Sequence, residues 1–247
     1  MFYTIAYGVM HTAEGVIMQT IGLIGGMSWE STQIYYQLLN QGVKDKLGGL
    51  HSAKIALVSL DFAEIATLQQ QQNWPKMAEI LINAAQQVEA AGADCLLICT
   101  NTMHKLAEQV QAAISIPLLH IADAVGEQLT ASKHKKVALL GTSFTMEQDF
   151  YTQRLSDKFG IEVLIPEPDE RAVIHEIIYT ELCIGIINPD SKAAYLRIIN
   201  QLYQQGAEAI ILGCTEIALL IQHTDTAIPL FDSTALHCSM ALKHSIN

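Results

Sequence analysis

The chain has 247 residues, half of them hydrophobic and 16% charged, with a formal net charge of −11. This composition supports a well-filled core and argues against disorder. The acidic balance, with no basic stripe, argues against a nucleic-acid backbone as partner. No apolar run reaches the roughly 18 residues of a membrane span, so no membrane partner is expected. The five cysteines are odd in number and include no CxxC pair. A disulfide framework or structural zinc site is therefore not expected, and a reduced cytoplasm is the simplest setting.

Residues 1–17 are apolar and contain no Lys or Arg, unlike the charged start of a signal peptide. They fit poorly with the pattern of the remaining chain. Met18 reads as the functional start and residues 1–17 as an appendage, with an added edge strand as the other reading. Residues 21–26 form a buried-strand pattern ending in a glycine turn. Ser28 is placed to cap a helix that carries Ile34, Tyr35, Leu38 and Leu39 at helical spacing. A strand, a glycine turn and a helix N-terminus make an anion-binding arrangement. Neither GxGxxG nor GxSxG is present, so Ser28 is a weak nucleophile candidate. Gly48 and Gly49 break the helix, and residues 54–60 read as a second strand. The Gln69 to Gln72 run reads mostly as solvated surface. A helix is expected over 74–91, stopped by Gly92. A strand comes next at 95–98, then a helix at 104–114 and a strand at 117–121.

The pattern then restarts. Residues 136–142 parallel residues 20–26, a helix begins near Thr145, and residues 160–166 form a strand. Helices are expected at 170–182 and 189–205, strands at 209–212 and 228–232, and a helix at the end. Gly25 and Gly141 lie 116 apart, Thr100 and Cys214 lie 114 apart, and Pro117 and Pro229 lie 112 apart. Duplication of one strand–helix unit is the economical account. The expected fold is α/β, with two pseudo-symmetric parallel-sheet domains that supply the facing halves of one site. The first domain is expected over 18–116 plus 226–247, its C-terminal helix packing back, and the second over 117–225.

Ligands of such sheets bind beyond the carboxyl ends of the strands. Two similar stretches lie there, Cys99-Thr100-Asn101-Thr102-Met103-His104 and Gly213-Cys214-Thr215-Glu216. A thiol at a helix N-terminus gains thiolate character, which makes Cys214 the candidate acid/base. Thr100, Asn101 and Thr102 cluster neutral donors suited to a carboxylate or an enolate-like oxygen. Cys95, Cys99, Cys183 and Cys238 read as small core residues. His104 either orients the first-half site or caps a helix, and the spacing leaves both open.

Together with Gly25-Gly26-Met27-Ser28-Trp29-Glu30-Ser31-Thr32 and Gly141-Thr142 with Thr145-Met146, these stretches resemble the aspartate/glutamate racemase superfamily over residues 18–247. The resemblance implies paired α/β domains with the active site in the interdomain cleft, dimerisation, and a small acidic amino acid as substrate, with no pyridoxal phosphate or metal cofactor. It implies two cysteines on opposite faces of the substrate, one removing the α-proton and the other returning one. The second of these falls on Cys214. The first falls on Thr100, a departure, because Cys99 stands one place too early and would point the other way. The Thr-Asn-Thr-Met-His stretch is similar to the subgroup described as L-aspartate/L-glutamate-specific racemases. That makes Cys214 and Thr100 the catalytic pair, working unequally from the two enantiomers, since threonine is a far poorer base than a thiol.

The same resemblance implies ligand contacts at Met27, Gln69, Thr100, Asn101, Thr102, Glu181, Thr215 and Glu216. No clear Lys or Arg is found to clamp a side-chain carboxylate, although Arg171 is near. The alternatives are a single-cysteine decarboxylase or isomerase of the same superfamily, and a non-catalytic amino-acid or dicarboxylate binding protein.

Overall fold

The computed structural model describes residues 17–246, so the expectation for residues 1–17 lies outside it except at Ile17. The first half runs β1 (Ile21–Gly25), α1 (Trp29–Leu47), β2 (Ile55–Ser59), α2 (Phe62–Gln70), α3 (Trp74–Ala90) and β3 (Cys95–Ile98). A 3-10 turn at Thr102–Leu106, α4 (Ala107–Gln111) and α5 (Ile121–Ala131) complete it. The second half runs β4 (Lys136–Gly141), α6 (Ser143–Glu147), α7 (Asp149–Phe159), β5 (Glu162–Leu164) and α8 (Pro168–Thr180). It continues through α9 (Pro189–Gln204), β6 (Ala209–Gly213), α10 (Ile217–Leu220), β7 (Leu230–Asp232) and α11 (Ser233–Ser245).

All strands pair in parallel. The first sheet has the order β2-β1-β3 and is extended by a parallel bridge from Leu96 to Leu118. The second has the order β5-β4-β6-β7. Position for position the two orders are the same, with β1 matching β4, β3 matching β6, and Leu118 matching β7. This is the expected pair of pseudo-symmetric parallel sheets. The expected assignment of strands to halves needs correcting at two places. Leu118, expected in the second domain, joins the first sheet, and Leu230–Asp232, expected in the first, pairs with β6. Each extends the edge beside the strand that precedes it, as a short parallel crossover requires.

The helices after these two positions cross over. Ile121, Ala122, Val125 and Leu129 of α5 pack into the core that holds β4 and β6. Cys238, Ala241 and Leu242 of α11 pack into the core that holds β1, β3 and, from α1, Tyr35 and Leu39. α5 and α11 also lie against each other. Each half is therefore closed by the other half's last helix.

Local chemistry explains the element ends. Ser28 caps α1, its Oγ accepting from Ser31 N at 3.2 Å, and Gly48 ends the helix at φ +71°. α5 is not foreseen in the sequence, because its cap is a histidine ring: His120 Nδ1 accepts from Ala122 N at 3.1 Å. The expected helix at 104–114 is broken into the 3-10 turn and α4, and the expected strand at 117–121 shrinks to the single bridge at Leu118. Along β3 the side chains alternate. Cys95, Leu97 and Cys99 enter the core under α1 and α11, whereas Leu96 and Ile98 face α3. Each fully buried Leu or Ile in these cores contributes about 1.5–3 kcal/mol.

Gly26 turns the chain out of β1 at φ +83°, and a Cβ there would stand 2.1 Å from the Leu60 carbonyl oxygen. Gly48 has a similar φ but faces open space. In urea or thermal unfolding, Gly26→Ala is expected to cost about 3 kcal/mol or more, combining backbone strain with displacement of the β2 end. Gly48→Ala should cost only about 1 kcal/mol.

Candidate active site

The carboxyl ends of β1 and β3 face those of β4 and β6 across a small cavity of about 30 Å³, room for a water or two. Met27, Gln69, Thr100, Asn101, Thr102, Cys214, Thr215 and Glu216 all line it. Glu181, expected among the contacts, does not. Its carboxylate accepts from Asn188 Nδ2 at 3.2 Å and Ser191 Oγ at 2.7 Å, at the start of α9. Arg171 is also held elsewhere, with Nε 2.8 Å from Glu147 Oε1 and NH1 2.7 Å from the Pro166 carbonyl. Among the described residues, no Lys or Arg lines the cavity. No three His, Cys, Asp or Glu side chains among them are grouped to hold a metal ion.

Cys214 sits where β6 ends. Its thiol donates to Glu216 Oε2 at 3.0 Å. Burial pushes the Cys214 pKa well above the usual thiol value, and the negative charge of Glu216 and the neighbouring Cys183 add to this. The expected thiolate at a helix N-terminus is therefore corrected: the resting group is a thiol. The next helix, α10, has only four residues and carries little dipole. Glu216 is buried. Its other oxygen, Oε1, accepts from Ser28 Oγ of the opposite half at 2.7 Å.

A second chain of hydroxyls crosses between the halves. Thr234 Oγ1 donates to Thr215 Oγ1 at 3.1 Å, Thr215 meets Ser31 Oγ at 2.7 Å, and Ser31 donates to the Cys99 carbonyl at 2.8 Å. Since Ser31 donates onward, Thr215 must be the donor between the two. Thr102 Oγ1 joins a third cross-half cluster, 3.0 Å from Thr142 Oγ1 and 3.3 Å from Thr145 Oγ1. Asn101 Nδ2 donates to Ser233 Oγ at 3.1 Å, which leaves the buried Asn101 Oδ1 without a partner. An unpartnered buried acceptor at a cavity wall is a place for a ligand N–H. Gln69 is the one buried member of its run; its Oε1 accepts from Tyr179 OH at 3.2 Å.

His104 resolves in favour of orientation. Its Nδ1 lies 2.8 Å from the Thr100 carbonyl, which can only accept, so Nδ1 carries the proton and fixes the backbone at Thr100. The rings of His120 and His237 lie 4.7 and 5.5 Å from it, centroid to centroid. Burial pushes all three histidines down, His120 to about 3 and His237 to about 4, so the cluster is neutral. Cys99 points into the core behind, and burial pushes its pKa up.

The sequence reading missed Ser31, Phe62, Thr142, Ile178, Tyr179 and Cys183, which also line the cavity. Thr142 was signalled by the match of Gly141-Thr142 to Gly25-Gly26. Cys183 was read as core but stands half-buried in the cavity wall, and no spacing pattern marked it.

The family model described as Asp/Glu/Hydantoin racemase matches residues 24–241. A crystal structure of a candidate Asp/Glu racemase from Yersinia pestis is 52% identical, with a TM-score of 0.86, covering 92% of this chain and 99% of that one. An aspartate racemase homologue from Pyrococcus horikoshii is 34% identical, with a TM-score of 0.81 and the same coverage. The broad specificity amino-acid racemase RacX of Bacillus subtilis is 29% identical over 163 residues, 65% of this chain and 68% of RacX.

Two measurements check the electrostatics. At pH 7 the Cys214 peptide should be alkylated by iodoacetamide more slowly than a free thiol, by mass spectrometry. Glu216→Gln, which removes the repelling charge, should speed that alkylation several-fold. The three histidines titrate near 6.5 when unfolded and lower when folded, so the unfolded state binds more protons below that pH. Stability is therefore complete above pH 6.5 and is lost as pH falls, at up to about 1.4 kcal/mol per pH unit for each histidine. Urea unfolding between pH 6.5 and 5 should show this slope, and His120→Asn, which keeps a cap acceptor, should reduce it by about a third.

Proposed function

The chain belongs to the Asp/Glu/hydantoin racemase family, and from that membership we propose that it racemises amino acids by moving the α-proton between two side chains without a cofactor. Cys214, on the second half, removes the proton as a thiolate after handing its own proton to Glu216. Thr100, on the first half, serves the opposite face. The observation that carries this reading is the Cys214 thiol hydrogen-bonded to a buried carboxylate, in a cavity whose other strand end presents Thr100. Asn101 Oδ1 is the acceptor suited to the substrate ammonium, and the Thr102 and Thr142 hydroxyls suit its carboxylate. A threonine hydroxyl gives up a proton only as it regains one from water, so the two directions should run at different rates. The free cysteines suit a reducing, cytoplasmic setting, and the homodimer we propose follows from the family resemblance.

Aspartate and glutamate are the first substrates to test, after the names of the relatives. One observation favours a second reading, a neutral side chain. An acidic one would enter a cavity that already holds Glu216 and, among the described residues, is lined by no Lys or Arg. An unpaired buried charge costs several kcal/mol.

The test is incubation in D2O with L-aspartate, L-glutamate and neutral amino acids, following α-proton loss by NMR and chirality by chromatography. Exchange with inversion is expected. Exchange without inversion would point to a one-base enzyme, and no exchange to a binding protein. Cys214→Ala should lower exchange by at least about a thousandfold. Thr100→Ala should impair inversion more than one-sided exchange, and Thr100→Cys should bring the two directions closer. Full activity in Cys214→Ala would refute the mechanism.

A further inference from the structure

We propose that Ser28 is a positioning residue that holds Glu216 as the proton acceptor of Cys214, so that the base is assembled only where the two halves meet. The proposal rests on the racemase reading above. Ser28 lies in the turn between β1 and α1, and Glu216 comes after β6 of the other sheet. Both are at most 4% exposed, and the Ser28 Oγ to Glu216 Oε1 distance is 2.7 Å. A buried carboxylate needs donors, and a thiol is a weak one. No cation pairs with Glu216 among the described residues. The Ser28 hydroxyl is thus the strong side-chain donor that keeps the Glu216 carboxylate in place.

The step is a proton transfer. The Cys214 S–H bond breaks with its electron pair left on sulfur, and an O–H bond forms at Glu216 Oε2. Ser28 keeps its own proton and remains bonded to Oε1. Without Ser28 the carboxylate has the thiol alone. It is then free to turn away, and once turned it cannot accept from Cys214. Because Ser28 belongs to the first half and Glu216 to the second, the base depends on the contact between the halves.

Ser28 also caps α1, so its removal carries a structural cost that must be separated from catalysis. Ser28→Gly removes the hydroxyl while keeping a tolerated cap, and Ser28→Thr keeps both functions. The experiment measures kcat and KM for α-proton exchange in wild type, Ser28→Gly, Ser28→Thr, Glu216→Gln and the Ser28→Gly/Glu216→Gln double variant. Ser28→Gly is expected to lower kcat about ten- to a hundredfold with KM changed less than about threefold. Ser28→Thr should recover most of the loss, and in the Glu216→Gln background Ser28→Gly should have no further effect on kcat. Full kcat in Ser28→Gly, or effects that multiply in the double variant, would overturn the proposal while leaving the racemase reading intact. Absence of exchange in the wild type would sink that reading and this one together.

Discussion

Apolar cover for the two sheets is exchanged between the halves, and the rest of the molecule depends on that exchange. A parallel sheet needs helices on both faces, because its strands are hydrophobic on both sides. Here α5 covers the second core and α11 the first, and the two helices lie against each other. The packing brings the carboxyl ends of β1, β3, β4 and β6 together. The site is a consequence of that placement, built from short turns at strand ends whose backbones are fixed by neighbouring strands. Thr100 is fixed again by His104, itself set in a neutral histidine cluster that the crossing helix α11 completes with His237.

The cavity is electrostatically unusual for a proposed acid/base site. It contains a thiol, a carboxylate and many hydroxyls, with no lining cation among the described residues. A thiolate is not stabilised at rest, and Cys214 is held as a thiol by burial and by Glu216. In the proposed mechanism the same carboxylate that disfavours the thiolate receives its proton. Such a pair suits transient proton transfer better than a standing nucleophile. In the proposed reaction the charge of a bound ammonium would change this balance.

Much of the fold was legible because buried parallel strands read as apolar runs and the glycine turns recur at nearly constant spacing. The strand-end stretches that line the cavity were legible for the same reason. The resemblance put the first-half position at Thr100, strand periodicity turned Cys99 the other way, and Cys99 does enter the core. What was not legible depends on contacts distant in sequence. α5 begins with a histidine cap that no propensity rule signals. Glu181 looked like a ligand contact, but α9 captures it through Asn188 and Ser191. The strength of the dipole at Cys214 depended on the length of α10, which helix signals alone do not fix. The Ser28 to Glu216 bond spans 188 positions and leaves no local pattern.

The crossed helices also bear on how such a chain could be cut or could have arisen. A half expressed alone would keep its sheet but leave one core face bare, and its own last helix would project with nothing to cover. Two copies of one half could satisfy both needs by exchanging that helix, as in a domain-swapped dimer. The present chain has the form of that dimer with its two members joined end to end. Once joined, the members are free to diverge, and a thiol on one side can face a hydroxyl on the other, which identical subunits could never provide.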